Sequence, residues 1–284
     1  MVNQKIAIVT DSSANIPKEA VSGLPIHVIP VWLIWDDEHL RDGVDIDPPT
    51  FYKRLRESKT LPTTSQPSIG EFIEFFAALA GDYDVIVAVL VSSKMSGTVA
   101  SALAAKEQLP ALPIRVVDSL AGSMGTGFVV LEAARAAAAG KSVDEVVAAA
   151  ESMIPKLHFL FAVDTLEYMR RSGRISGAKA LFGTALSIKP LLQFQDGTIQ
   201  PHSQVRTKRK ALSMLLEVAE EMLKGKAMAE AAVIDIDTEE EGDVFSGQVK
   251  ERFGIDEILR GAVSPVVGAI VGPGAIGLAF YAEE

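Results

Sequence analysis

Two short segments rich in hydroxyl side chains carry the residues of this chain best suited to chemistry. They are Thr63-Thr64-Ser65-Gln66-Pro67-Ser68 and Ser92-Ser93-Lys94-Met95-Ser96-Gly97-Thr98. Each is expected to lead into the first turn of a helix, where unpaired backbone N–H groups and the positive end of the helix dipole meet Ser and Thr hydroxyls. This combination favours an oxyanion site. The alternative is that these hydroxyls are ordinary helix N-caps.

The composition limits what chemistry such a site can perform. The 284 residues include no cysteine and four histidines, which excludes disulfides and Cys nucleophiles and argues against a metal site. A net charge of −10 argues against generic nucleic-acid binding and against docking on anionic lipid surfaces. A hydrophobic content of 48% is compatible with a well-filled core and an internal ligand cavity. Metal catalysis is therefore not expected.

The hydropathy pattern predicts no membrane span and no secretory signal. No stretch approaches the ~18–20 uncharged apolar residues that a span requires, and the N-terminal residues lead directly into an expected strand. We therefore expect a soluble, cytoplasmic protein.

Apolar β-rich runs alternate with helical patterns in the first half, and this alternation predicts a parallel sheet covered by helices. The predicted strands are Lys5–Val9, Ile26–Trp35, Val85–Val91 and Ile114–Val117. The predicted helices are Tyr52–Glu57, Ile69–Ala80, Thr98–Gln108, Gly122–Ala139 and Val143–Met153.

The second half is predicted to form another α/β unit, with a domain boundary at Pro155 that divides the chain into residues 1–155 and 156–284. A type-I-like turn is expected at Gln195-Asp196-Gly197-Thr198. The strand patterns are Phe159–Val163, Val233–Asp237 and Ala275–Tyr281, and the helical patterns are Thr207–Leu223 and Asp243–Phe253. The segment Ala185–Leu192, which precedes the turn, is not assigned to either type.

Three catalytic motifs can be set aside. Gly272–Gly277 fits G-x-G-x-x-G but is followed by too little chain for a dinucleotide-binding βαβ unit, so it is interpreted as a turn into a strand. Gly140-Lys141-Ser142 resembles the end of a P-loop, but the residues before it form a helical pattern. No G-x-S-x-G elbow is present, and neither hydroxyl segment has a histidine nearby in sequence.

The ordered set of motifs resembles the DegV family over essentially the whole chain. In the first half these are Ile8–Ser13, Thr64–Ser68, Ser93–Thr98 and Val117–Ser119. In the second half they are Thr165–Ile175, Ser187–Pro190, Asp196-Gly197, Arg206-Thr207 and Gly272-Pro273-Gly274. Each piece alone is weak, but the ordered set is highly specific.

The resemblance implies a two-domain α/β fold with an N-terminal parallel-sheet domain, a C-terminal α/β domain and a lipid tunnel between them. It implies that a long-chain fatty acid is the ligand and that a fatty acid kinase phosphorylates the presented carboxylate, giving an acyl-phosphate for phospholipid synthesis. The chain itself would be a carrier subunit without catalytic residues or cofactor. The carboxylate ligands would be Thr64 and Ser96, with Ser65, Ser93 and Gly97 as neighbours.

Two further features follow from the same resemblance. Many relatives carry a histidine near the carboxylate before the Gly272-Pro273-Gly274 turn, whereas this chain has Ile270 there and lacks that donor. Arg174 and Arg206 are favoured as docking residues for the partner on an otherwise acidic protein.

Two other functions stay open at this point. One is a lipid-responsive regulatory protein, in which the ligand changes affinity for a partner without being transformed. The other is a small-acyl-substrate hydrolase or transferase, which requires a His or carboxylate beside Ser93 or Ser96 in the fold.

Overall fold

The structure is a computed structural model that describes residues 4–175 and 188–283. The strands are β1 (Ile6–Asp11), β2 (Ile26–Ile29), β3 (Trp32–Trp35), β4 (Glu38–Arg41), β5 (Thr63–Ser65), β6 (Val85–Leu90), β7 (Ile114–Asp118), β8 (His158–Ala162), β9 (Lys189–Gln195), β10 (Thr198–Val205), β11 (Met228–Asp235), β12 (Leu259–Arg260) and β13 (Ile276–Ala282). The α-helices are α1 (Lys18–Val21), α2 (Pro48–Glu57), α3 (Ile69–Leu79), α4 (Thr98–Glu107), α5 (Met124–Ala138), α6 (Val143–Met153), α7 (Glu167–Ser172), α8 (Lys208–Leu223), α9 (Glu239–Phe253) and α10 (Pro265–Val271).

The first half contains the predicted parallel sheet, with strand order β2-β1-β6-β7. Every residue of β1 and β6 is buried, as expected for central strands covered on both faces. One face packs against α3 and α4 through side chains that include Phe72 and Phe76. The opposite face packs against α5 and α6 through side chains that include Val130 and Val146. Because β1, β6 and β7 run parallel, this sheet places their carboxyl ends beside one another.

The run predicted as one strand over Ile26–Trp35 is two strands in different sheets. β2 joins the parallel sheet, whereas β3 lies between β4 and β5 in a separate antiparallel sheet. Pro30 falls between β2 and β3, and it lacks the N–H that a continuous ladder needs. The apolar content of the run does not reveal this change of sheet.

The second half contains a six-stranded sheet with the order β10-β9-β8-β13-β11-β12. All of its strand pairs are antiparallel except β11 with β12. Phe159 and Phe161 of β8 point to the face opposite that of Leu160 and Ala162, in accordance with the period of two in a strand. Helices α8 and α9 cover the second of these faces.

The turn between β9 and β10 differs from the type-I-like turn that was predicted. Asp196 has a φ of 49° and Gly197 a φ of 77°. Positive φ at both central residues is the pattern of a type I′ turn, whose twist matches that of the flanking strands in a two-residue hairpin. β9 begins at Lys189, within the unassigned segment Ala185–Leu192, of which residues 185–187 lie outside the described residues.

One hydrophobic cluster joins the two halves. It combines Leu33 of β3 and Phe128 of α5 with Phe161 of β8 and Ile234 of β11. The site described below lies within this shared layer. The division at residue 155 stays a prediction. No helix in the part of the chain that the structure describes is long and apolar enough to cross a bilayer.

Candidate ligand-binding site

The segment Ser92–Thr98 leads from the end of β6 into the first turn of α4, as its sequence predicted. Gly97 is the N-cap of α4 and provides no side-chain cap. The Ser96 hydroxyl lies 2.8 Å from the Thr98 hydroxyl, and either oxygen can donate. Thr98 is fully buried. This helix start therefore presents two adjacent hydroxyls beside its first backbone N–H groups.

The segment Thr63–Ser68 leads into the first turn of α3, as predicted, but Thr64 itself lies on a strand and not at the helix start. It belongs to β5 and pairs with Leu33 of β3. The start of α3 is already satisfied by a capping box, in which Ser68 accepts from the Glu71 N–H and Glu71 accepts from the Ser68 N–H. Ser68 is an ordinary N-cap, so this segment offers a side-chain hydroxyl and no free helix terminus.

The two hydroxyl segments meet at Gly97. A Cβ added to this glycine would lie 2.9 Å from Nε2 of Gln66, which is closer than real Cβ atoms approach other atoms. Glycine at position 97 thus allows the Gln66 side chain to lie against the start of α4. The contact holds the strand that carries Thr64 close to the turn that carries Ser96.

A cavity lies between the two halves and has one polar end and one apolar wall. The space not filled by atoms is about 910 Å³, which includes open solvent at the mouth. The polar side chains that line it are Ser13, Thr64, Gln66, Ser96, Thr98, Ser123 and Arg174. The apolar wall includes Phe159, Phe161, Phe194, Ile199, Ile234 and Ile236. Such a lining suits a long apolar ligand with a polar head.

The structure brings together some of the predicted site residues and separates others. Thr64, Ser96, Ile270 and Arg174 all line the cavity. Three predicted neighbours of the head group do not line it: Ser65, Ser93 and Gly97. The Ser65 hydroxyl lies 3.4 Å from the Gln66 carbonyl, and the backbone N–H of Ser93 donates to Asp118. Arg206 is exposed between β10 and α8.

Asp11 holds two residues of the cavity lining in place, a role that the sequence analysis did not identify. Its fully buried carboxylate accepts the Val91 N–H at 2.9 Å and both the N–H and the hydroxyl of Ser13. Burial raises the pKa of Asp11, and the hydrogen bonds from Ser13 and Val91 oppose that rise. Both Ser13 and Val91 line the cavity, so Asp11 positions two of its walls.

Asn15 connects the cavity wall to helix α10. Its Nδ2 donates to the Ser123 hydroxyl at 2.9 Å, and its Oδ1 accepts the Ser264 N–H at 2.9 Å. Ser264 is the N-cap of α10, the helix that carries Ile270. Asn15 itself has a φ of 55°, a conformation that Asn tolerates better than most residues.

Three aromatic rings form part of the apolar wall. Phe194 stacks on Phe159 with ring centroids 5.5 Å apart and an interplanar angle of 8°, and Phe161 lies 5.4 Å from Phe159. A Cβ on Gly122 would lie 2.8 Å from the Phe194 ring. The glycine therefore lets the ring from the second half pack against the segment before α5.

Comparison with known proteins agrees with this architecture. A model of the DegV family, described as uncharacterised, matches residues 5–283. A DegV domain-containing protein of Caldanaerobacter subterraneus is 35% identical over 281 residues, which are 99% of this chain and 100% of the relative. The structure of a fatty-acid-binding DegV family protein from Thermus thermophilus has a TM-score of 0.91 at 30% identity. The match covers 98% of this chain and 100% of the Thermus thermophilus chain. The structure of DegV from Bacillus subtilis, a fatty acid binding protein, has a TM-score of 0.90 at 34% identity. The match covers 99% of this chain and 100% of the Bacillus subtilis chain. Because sequence and fold both match over nearly the full length, this chain belongs to the DegV family.

Proposed function

We propose that this chain binds one long-chain fatty acid in the cavity, with the carboxylate at the end formed by Thr64 and Ser96. The observation that carries this proposal is that one cavity joins a cluster of hydroxyls to an aromatic and aliphatic wall. The fatty acid binding of the similar proteins from Thermus thermophilus and Bacillus subtilis supports it.

The physical chemistry of the cavity agrees with this ligand. A carboxylate removed from water is strongly disfavoured unless hydrogen-bond donors replace its hydration, and the hydroxyls of Thr64, Ser96 and Thr98 can do so. Burial of the tail supplies affinity at about 0.8 kcal/mol per CH₂, so a chain of about sixteen carbons has an upper limit near 12 kcal/mol before entropic costs. Tight binding and slow release follow.

The second part of the proposal is that the bound carboxylate is presented to a fatty acid kinase, which forms the acyl-phosphate used in phospholipid synthesis. In support, the cavity adjoins an outer cleft that shares Thr64, Arg174 and Ile270 with it. A partner that enters this cleft would reach the head group without displacing the tail. Arg206 is exposed and forms no ion pair within residues 4–175 and 188–283, so it is available for an acidic partner.

The enzyme alternative has less support than the carrier. Hydrolysis or acyl transfer at Ser96 needs a base within hydrogen-bond reach of the hydroxyl. The described residues that line the cavity include no His, Asp or Glu. A regulatory role is compatible with the same bound ligand, and it is distinguished from the carrier by whether the ligand is transformed in the presence of a kinase.

Native mass spectrometry of the purified chain, followed by denaturing extraction, tests the first part of the proposal. We expect an adduct of fatty-acid mass at about one per chain, which extraction then identifies. If no adduct is present, and none forms after incubation with a panel of fatty acids, the proposed ligand is wrong and the enzyme and regulatory functions must be reconsidered.

A further inference from the structure

Ser13 and Ser123 are a second set of hydroxyls in the cavity, with hydrogen-bond partners different from those of Ser96 and Thr98. Both line the cavity and both are buried, with 8% and 6% of their surface exposed. Ser13 follows β1, whereas Ser123 lies between β7 and α5. The hydrogen bonds that each hydroxyl already makes within the protein determine what it can still offer to a ligand.

The Ser123 hydroxyl has a proton that no described residue accepts. The Asn15 amide oxygen accepts the Ser264 N–H at 2.9 Å, and this bond fixes which way the amide is turned. The NH₂ group of Asn15 therefore donates to the Ser123 oxygen, also at 2.9 Å. Ser123 is the N-cap of α5, but its side chain makes no capping hydrogen bond. Among residues 4–175 and 188–283 its own proton has no acceptor, so Ser123 can donate to a ligand.

The Ser13 hydroxyl is in the opposite situation, because its proton is already used. The two oxygens of the buried Asp11 carboxylate accept the backbone N–H groups of Ser13 and Val91, and the Ser13 hydroxyl donates to the same carboxylate. No described residue donates to the Ser13 oxygen, which keeps its lone pairs free. Ser13 can therefore accept a hydrogen bond from a ligand but has no proton to give.

This difference argues against a carboxylate beside Ser13. The Asp11 carboxylate lies directly behind the Ser13 hydroxyl, so a second carboxylate there would meet a like charge and an oxygen without a free proton. The head group proposed above is therefore better placed at Thr64 and Ser96. Ser13 and Ser123 remain for another part of the ligand.

Ser123 lies beside the aromatic part of the apolar wall. A Cβ on the preceding residue, Gly122, would lie 2.8 Å from the Phe194 ring, and a Cβ on Gly125 would lie 3.8 Å from Phe159. The Ser123 hydroxyl is thus in the region where the hydrocarbon chain of a fatty acid is expected. Ser13 belongs to the same local cluster, because Asn15, two residues further along the chain, is bonded to Ser123.

A plain methylene chain would leave both hydroxyls without a partner from the ligand. A buried donor without an acceptor weakens a complex, and an acceptor without a donor does so to a smaller degree. A hydroxyl group has both a proton and lone pairs, so it can accept from Ser123 and donate to Ser13 at once. The group on the ligand that complements this pair is therefore a hydroxyl.

We propose that the cavity binds a hydroxylated long-chain fatty acid, with Ser123 donating to the hydroxyl on the chain and Ser13 accepting its proton. This inference rests on the proposed function, because it specifies the class of fatty acid and keeps the carboxylate at Thr64 and Ser96. The pair gives selectivity, since a chain hydroxyl at any other position along the apolar wall would be buried without a partner.

The test compares palmitic acid with a series of hydroxypalmitic acids that differ in the position of the hydroxyl along the chain. Dissociation constants are measured for the wild-type chain, Ser123→Ala and Ser123→Gly. Two substitutions are used because Ser123 has a φ of 49°, which glycine adopts more readily than alanine. Ser96→Ala is the matched control, because it removes a cavity hydroxyl that is assigned to the carboxylate. Thermal unfolding of each variant verifies that it is folded.

We expect at least one positional isomer to bind the wild-type chain as tightly as palmitic acid or more tightly. Both Ser123 variants should weaken that isomer about 10-fold relative to palmitic acid, because only the hydroxylated chain loses a hydrogen bond. Loss of the Asn15 contact alone would weaken all the ligands equally. Ser96→Ala should also weaken palmitic acid and its hydroxylated isomers by the same factor.

Two results would overturn the inference and leave the proposed function standing. The first is weaker binding of every isomer than of palmitic acid by the wild-type chain. The second is a preference for the hydroxylated chain that persists in both Ser123 variants. Failure of the wild-type chain to bind any of these fatty acids overturns the proposed function and, with it, this inference.

Discussion

The Ser92 hydroxyl donates a hydrogen bond of 2.7 Å to the carbonyl oxygen of Gly197, which lies 105 residues further along the chain. Both residues are buried. Beside this bond, the Lys94 ammonium donates to the Asp196 carbonyl at 2.7 Å. These hydrogen bonds therefore connect the segment that contains Ser96 to the β9–β10 hairpin, which contains Phe194 of the apolar wall. These two hydrogen bonds help to position the polar and apolar parts of the cavity relative to each other.

Replacing Ser92 by alanine is expected to lower the free energy of unfolding by about 1 to 3 kcal/mol, because the buried Gly197 carbonyl would lose its donor. The measurement is urea unfolding. Ser93→Ala is the control, since Ser93 is exposed and its hydroxyl makes no hydrogen bond within the described residues; its effect should stay below about 0.5 kcal/mol. Equal effects of the two substitutions would contradict a role for this bond in joining the halves.

The double variant Thr64→Ala, Ser96→Ala is expected to lose the fatty acid while remaining folded. Both hydroxyls line the cavity, and their removal leaves the carboxylate without two of its donors. Native mass spectrometry measures the bound ligand per chain. Thr63→Ala is the control, because Thr63 neighbours Thr64 on β5 but is exposed outside the cavity. Full occupancy of the double variant would show that the carboxylate lies elsewhere.

Charge reversal at Arg206 is expected to separate ligand binding from transfer. Arg206→Glu should keep the fatty acid, since Arg206 does not line the cavity, and should slow acyl-phosphate formation by a fatty acid kinase. Lys106→Glu makes the same change of charge on an exposed residue of α4 and serves as the control. If Arg206→Glu supports phosphorylation at the wild-type rate, the docking surface does not include Arg206.

Stability is expected to depend on pH through Asp42. Asp42 is 2% exposed, neither carboxylate oxygen has a hydrogen bond of ordinary geometry within the described residues, and burial raises its pKa from 3.8 to about 6. The hydroxyls of Ser12 and Ser264 lower this pKa, while the charge of Asp11 raises it. Because the folded-state pKa is the higher one, the protonated form is favoured by folding. This stabilisation is full below about pH 4 and is lost as the pH rises through 6, a change on the order of 3 kcal/mol.

Urea unfolding of wild type and Asp42→Asn across this pH range measures the effect. The wild-type chain should become less stable toward neutral pH, and Asp42→Asn should remove most of that slope. Asp45→Asn is the control, because the hydrogen bond from Arg41 lowers the pKa of Asp45 to about 2 and keeps its titration below this range. A slope that persists in Asp42→Asn would assign the titration to another group, of which buried Asp11 is the first candidate.

Local sequence patterns predicted the positions of most helices and strands well, but they predicted poorly which strands pair in which sheet. Helices α3, α4 and α6 lie within one residue of their predicted bounds, because apolar spacing and N-caps such as Ser142 are local signals. Helix α10 was not predicted. Its Val-rich and Gly-containing sequence has low helix propensity, although Ser264-Pro265 is an N-cap signal that would have located its start.

The candidate site was predicted only in part, because local sequence patterns do not show which distant residues come together. The hydroxyl-rich motifs indicated an oxyanion site, and the family resemblance singled out Thr64 and Ser96 within them. The structure places both residues on one cavity. The links through Asp11 and Asn15 join residues far apart in sequence, up to 249 residues in the case of Asn15 and Ser264. No local pattern encodes such contacts. The position of Arg174 on the cavity wall likewise depends on how α7 packs against α10.

The cavity is built from side chains of both halves, and this has a thermodynamic consequence. A ligand that fills it would complete a hydrophobic layer shared by Phe194 on one side and Val31 on the other. Any molecule that binds only the folded form shifts the folding equilibrium by mass action. Unliganded copies would then open more often and be more exposed to proteolysis, so the lifetime of the chain would increase with the supply of ligand. Its abundance would then follow the availability of a ligand that fills the cavity.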